Sequence, residues 1–274
     1  MNCGGRIVDL SVTRIMGILN VSPDSFYDGG RYKSQKEVLN HVEKMLKEGA
    51  TFIDVGGMSS RPGAKIISEK EELRRVIPVV KMISKKFPHA ILSIDTVRSG
   101  VASSAVEEGA AVINDISAGA IDNNMFSTVA RLGVPYILMH MKGRPADMQK
   151  NPVYKNVIQE ITDFFIKTLN SIRKFEIKDI ILDPGFGFGK TIQHNFEILG
   201  NLRNLQIFGL PVMVGISRKS MICKALKVNP SGALNGTTAM HSIAILNNAD
   251  ILRVHDVKEA NEVIQLMQYF RESP

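Results

Sequence analysis

Polar and charged residues recur at one kind of position in this chain, the end of a short apolar run. Asn20 closes the run 14–21, Asp54 lies late in 51–57 and Asp95 late in 91–96. Asn114 and Asp115 fall in 111–117, His140 closes 136–140, and Asp183 lies late in 180–184. Ser217, Arg218 and Lys219 end or follow 212–217, while Arg253 and His255 mark 251–255. Asp95, Asn114 and Asp183 offer carboxylate and amide groups suited to a flat heterocycle with a donor–acceptor edge. A guanidine-like edge pairs with a carboxylate through two parallel hydrogen bonds. Lys219, Arg253 and His255 supply positive charge or donors for an anion, and Arg61 lies just after the second run, in Ser59-Ser60-Arg61-Pro62-Gly63. The set describes a polar ring pocket beside a phosphate or carboxylate pocket, without naming the ring. Any one of these residues could be a helix cap or a satisfied buried group. Their recurrence at the ends of successive runs is what argues for a ligand site.

A fold must bring those ends together. Helical patterns separate the runs, at 34–49, 68–86, 97–108, 124–132, 153–175, 192–203, 219–248 (broken) and 258–271. Continuous apolar strands alternating with helices predict a parallel sheet buried on both faces. Repetition of that unit around the chain predicts a single (β/α)8 TIM barrel of the α/β class, one domain over 1–274. In such a barrel the C-terminal strand ends share the face that carries the active site. Gly49, Gly109 and Gly133 follow helical runs where a left-handed cap is wanted, and Ser34 and Glu37 have capping-box spacing. A doubly wound sheet is the alternative, but its first strand usually leads into a Gly-rich phosphate turn. Here the first run leads into Asn20-Val21-Ser22-Pro23-Asp24. Two long Gly-containing stretches on the same face, 20–33 (with Phe26 and Asp28) and 56–67, are predicted lids.

Bulk properties agree with a soluble enzyme. Of 274 residues, 44% are hydrophobic and 22% charged, an ordinary globular balance. No apolar run is long enough for a bilayer, and the opening MNCGGRIVDL lacks the apolar core of an export signal, so a cytoplasmic location without membrane contact is expected. Cys3 and Cys223 form neither a disulfide framework nor a metal cluster. The formal charge of +7 favours anionic ligands. Without a Lys/Arg stripe interleaved with aromatics, nucleic acid is not expected.

Seven segments together are specific. They are MGILNVSPDSFYDGG (16–30), IDVGGMSSRPGA (53–64), SIDT (93–96), INDIS (113–117), DPGFGFGK (183–190), GISRKS (215–220) and LRVHDV (252–257). In this order they resemble the dihydropteroate synthase family over nearly the full length. The resemblance implies a folate-biosynthesis transferase that joins a dihydropterin methyl diphosphate to 4-aminobenzoate, releasing pyrophosphate. It implies that Asp95, Asn114, Asp183 and Lys219 hold the pterin and that Asn20 ligates Mg2+. Ser60, Arg253 and His255 would bind diphosphate oxygens. Arg61, Pro62, Phe188 and Ser220 would form the aminobenzoate site, with Phe26 and Asp28 in the ordered first loop. Asp95, Lys219, Arg253 and His255 would carry the catalysis. The arylamine is a weak nucleophile, so C–O cleavage leads and Asp95 steadies the resulting cation. The resemblance also implies sulfonamide binding and a homodimer built on the late helices. Met58 departs from the family pattern, standing where an acid is usual, and Ser22 and Ser60 stand where Thr is usual. Two other readings share the pterin contacts: a methyltetrahydrofolate–corrinoid methyltransferase-like barrel and a non-catalytic pterin-binding homologue. The first would not need the anion-binding set Ser217-Arg218-Lys219-Ser220 and Ser60-Arg61-Pro62-Gly63, and the second would be expected to lose magnesium or diphosphate groups, yet Asn20, Arg253 and His255 are all present.

Overall fold

Eight parallel strands form one ring. They are β3 (Arg14–Asn20), β4 (Phe52–Gly56), β5 (Ile91–Asp95), β6 (Ala110–Asp115), β7 (Tyr136–Met139), β8 (Ile180–Asp183), β9 (Met213–Val214) and β10 (Ile251–Val254). The ladder order is β8-β7-β6-β5-β4-β3-β10-β9, and a parallel bridge between Leu182 and Val212 closes it. The computed structural model describes residues 1–21, 31–58, 67–143 and 148–272, apart from the side chains of 31–34 and 272. Each expected run holds a strand. The seventh shrinks to two residues because the backbone leaves the ladder near Gly215 and turns, with Lys219 N donating to Ile216 O at 3.1 Å.

Helices alternate with the strands: α1 (Arg31–Lys47), α2 (Glu69–Lys86), α3 (Ser99–Glu107), α4 (Met125–Leu132), α5 (Val157–Ile172), α6 (Ile192–Gly200), α7 (Ser220–Leu226), α8 (Leu234–Leu246) and α9 (Val257–Glu272). The expected break in 219–248 falls where Lys227 turns left-handed, at φ 55°, ahead of a short 3-10 turn at Pro230–Ala233. The capping-box reading of Ser34 and Glu37 is wrong. Helix α1 already begins at Arg31, so their spacing is that of two interior residues on one helix face. Ser68 does cap α2, accepting from Glu71 N at 3.2 Å. Gly49, Gly109 and Gly133 all have positive φ.

Inside the ring lies an apolar floor. Met16, Phe52, Ile91, Val112, Ile137, Ile181, Met213 and Ile251, one from each strand, form a buried cluster with Cys3 and Val8. An N-terminal hairpin, β1 (Asn2–Cys3) with β2 (Arg6–Ile7), supplies Cys3 from below. Arg6 ties it on, donating to Ala90 O at 2.9 Å and Pro88 O at 2.7 Å. The sequence reading missed this hairpin, because two-residue strands carry no readable period. A larger core between strands and helices includes Ile53, Ile94, Ile113, Tyr136, Phe165 and Val254. Among the described residues no helix is long and apolar enough to cross a membrane.

Candidate active site

Side chains alternate along a strand, so residues two beyond the apolar floor face inward again. That step converts Phe52 to Asp54, Ile91 to Ser93, Val112 to Asn114, Ile181 to Asp183 and Ile251 to Arg253. A further step reaches Asn20, Asp95 and His255, and Gly56 on β4. A Cβ on Gly56 would stand 3.6 Å from Asp95 Oδ2 and 3.8 Å from Asn20 Oδ1. Glycine there keeps open the space that both oxygens face. The polar mouth is thus built directly on the apolar floor.

The charges in it are interlocked. Arg253 donates from Nε to Asp54 Oδ2 at 2.6 Å and from Nη2 to Asp95 Oδ2 at 2.8 Å. Asn114 Nδ2 donates to the same Asp54 oxygen at 2.9 Å. Burial opposes the Arg253 charge, but Asp54 and Asp95 outweigh it and hold its pKa above the ordinary arginine value. Burial pushes the Asp95 carboxyl up to about 7, against the pull of Arg253. Burial also raises Asp183, with Lys219 opposing. Asp183 Oδ1 accepts from Gly185 N at 2.7 Å. Lys219 donates to Phe186 O at 2.5 Å and sits 4.8 Å from the Phe188 ring centre. Burial lowers the Lys219 ammonium to about 8, with Asp183 pulling the other way. Asp54 Oδ1 and Ser93 Oγ are buried without a hydrogen-bond partner among the described residues.

The remaining expected residues ring this centre. Asn20, Ser220 and His255 are exposed at the mouth. His255 Nδ1 lies 3.1 Å from Ser217 Oγ. Phe188 is buried in an apolar cluster with Val97, Ile116, Met139 and Met148, against half-buried Met58 and Met141. Phe26, Asp28, Ser60, Arg61 and Pro62 lie outside the described residues, as do most of both expected lids.

Three strand-end residues do not belong to the mouth. Asp115 follows inward-facing Asn114, so parity turns it outward. It accepts from Ser117 N and Oγ (both 2.7 Å), Gly119 N (2.8 Å) and Tyr136 OH (2.8 Å). His140 follows inward-facing Met139 and packs edge-on against Phe164, with ring centres 4.9 Å apart. Arg218 gives its guanidinium to Asp256, at 2.7 and 2.9 Å, and to Pro230 O and Ser231 O. It is therefore engaged within the protein rather than available to an anion. Conversely, Asp54 was noticed at a strand end but given no role, and the structure makes it the hub joining Arg253 and Asn114.

Among the described residues no cluster of three or more His, Cys, Asp or Glu could hold a metal by itself. The Asn20 amide oxygen, exposed above Gly56, fits a hard cation whose other ligands arrive with a substrate. Overall the mouth presents carboxylates and an amide for a heterocycle, with cationic and donor groups for an anion.

A family model described as "Pterin binding enzyme" matches residues 16–255. The dihydropteroate synthase of Escherichia coli (strain K12) is 44% identical over 266 residues, covering 96% of this chain and 94% of that protein. The Yersinia pestis dihydropteroate synthase structure with a sulfonamide drug complex superposes with a TM-score of 0.93 at 42% identity, covering 100% of this chain and 99% of that one. The Xanthomonas albilineans dihydropteroate synthase with 4-aminobenzoic acid gives a TM-score of 0.91 at 37% identity, covering 99% and 98%.

Proposed function

The chain belongs to the dihydropteroate synthase family of pterin-binding enzymes, and from this we infer the work of its polar barrel mouth. It is a transferase of folate biosynthesis. It condenses (7,8-dihydropterin-6-yl)methyl diphosphate with 4-aminobenzoate to give 7,8-dihydropteroate and pyrophosphate. The observation that carries the reading is the inward-facing set Asp95, Asn114, Asp183, Lys219 and Arg253 on five different strands or their ends, within a family-matched barrel.

In this reading Asp183 and Asn114 bind the pterin edge, and Lys219 binds beside Asp183. Asp95 steadies positive charge on the ring as the C–O bond breaks, and the arylamine nitrogen then attacks the methylene carbon. Arg253 exchanges part of its pairing with Asp54 and Asp95 for diphosphate oxygens, assisted by His255 and Ser60. Phe188, Ser220, Arg61 and Pro62 bind the aminobenzoate, and Phe26 and Asp28 belong to the first loop. Sulfonamides, as aminobenzoate mimics, enter the same place. Mg2+ bound through Asn20 would neutralise departing diphosphate charge. The enzyme acts in the cytoplasm, a reading supported by its free cysteines, and as a homodimer. Exposed apolar residues on the late helices support the dimer: Ile243 and Leu246 on α8, and Leu266 and Phe270 on α9.

The reading is tested at Asp183. Asp183→Asn replaces a carboxylate acceptor with a donor against the pterin edge. A broken buried charge-assisted pair should weaken 6-hydroxymethylpterin binding by about 2–3 kcal/mol, read by calorimetry. Unchanged binding in the folded variant would remove Asp183 from the site.

A further inference from the structure

The loop between β8 and α6 is held from two opposite sides by lysines. Gly185, Gly187 and Gly189 adopt φ of 71°, 81° and 62°. Side chains at two of these positions are excluded by close backbone: a Cβ would stand 1.9 Å from His140 O at Gly185 and 2.1 Å from Lys142 O at Gly189. This backbone turns Phe186 O toward Lys219 in the mouth. It turns Gly185 O and Phe188 O the other way, to Lys190 Nζ at 2.9 and 3.1 Å. Lys190 also contacts His140 Nδ1 at 3.0 Å and His140 O at 3.3 Å.

Lys190 is 3% exposed, and no carboxylate lies within ion-pair distance of it among the described residues. Burying an ammonium is costly unless its donors are satisfied. Here backbone carbonyls and one imidazole nitrogen satisfy them. His140 Nδ1 is the acceptor of this contact when Lys190 carries its charge; burial disfavours the charged imidazole and lowers the Lys190 ammonium to about 7. The same loop is held further by Tyr154 OH donating to Gly189 O at 2.9 Å and by Gly187 N donating to Asn195 Oδ1 at 2.7 Å. None of the reacting groups assigned above is Lys190, yet the carbonyl of Phe188 hangs on it.

We propose that Lys190, with Tyr154, is a positioning residue for the arylamine half of the site. It fixes the backbone that carries the Phe188 ring, through Phe188 O and Gly185 O, without touching substrate. The inference rests on the functional reading above and deepens it. Asp95, Asn114 and Asp183 lie on the strands β5, β6 and β8 themselves and Lys219 follows β9, outside the loop, so the pterin half depends on Lys190 far less than the aminobenzoate half does.

Lys190→Met keeps the apolar stem and removes the donors. The aminobenzoate KM should rise about tenfold or more, as expected when a distant change misplaces a binding group. Binding of 6-hydroxymethylpterin should stay within about threefold, since its charge-assisted partners remain. Tyr154→Phe, which loses one hydrogen bond, should raise the same KM by about two- to fivefold and leave pterin binding unmoved. An unmoved aminobenzoate KM in folded Lys190→Met would overturn the inference, and so would equal weakening of both ligands. If Lys190→Met does not fold, Tyr154→Phe decides, and an unmoved KM overturns the inference. Wild-type turnover run alongside separates the two levels. Turnover with normal variants sinks only this inference, whereas no wild-type turnover sinks both.

Discussion

At the residue scale, the mouth combines groups whose charges are set against one another. Lys219 is lowered to about 8 by burial, so it is charged below that pH and loses its proton above it. Asp95 is raised to about 7 by burial, so it carries its charge above that pH and loses it as pH falls. The pH dependence of kcat/KM for the pterin diphosphate should therefore be bell-shaped, with limbs near these values. Lys219→Arg places a guanidinium that does not titrate in this range, so the alkaline limb should vanish or move upward. An alkaline limb unmoved in that variant would assign it to another group. Asp54 illustrates what a linear reading loses. Its partner Arg253 is 199 residues away, and nothing local announces that they meet.

At the element scale, the strands were legible because each is a short apolar run between helical patterns. The direction of their polar ends was not. Strands buried on both faces lack alternation, so Asn114 and Asp115 look equivalent until the floor residue Val112 fixes the parity. The Gly-rich loop after β8 gives a test at this scale. Gly185→Ala would place a Cβ 1.9 Å from His140 O at φ 71°, whereas Gly209, at φ 61°, has nothing within 4 Å of the added Cβ. The left-handed backbone alone costs alanine about 1–2 kcal/mol, and that should be the whole effect at Gly209. Gly185→Ala should lose about 2 kcal/mol more in urea unfolding, from forced displacement of the β7 end. Equal losses would mean that the two loop ends are not packed as described.

At the scale of the whole molecule, the barrel has its apolar floor and hairpin at one end and its polar mouth at the other. The proposed homodimer is tested at this scale. On α8, Ala244 is buried while Ile243 and Leu246 are exposed, so its apolar residues divide between core and surface. Sedimentation should give a dimer, and Leu266→Glu should shift it toward monomer while the pterin-binding mouth remains intact. A wild-type protein that stays monomeric at all concentrations would refute the dimer and leave the chemistry untouched. That chemistry is tested most directly by pyrophosphate release with magnesium, both substrates present and each omitted in turn. The account predicts release only when the pterin diphosphate and 4-aminobenzoate are together, with one dihydropteroate formed for each pyrophosphate. Release at the same rate without 4-aminobenzoate, or no release with both, would contradict it.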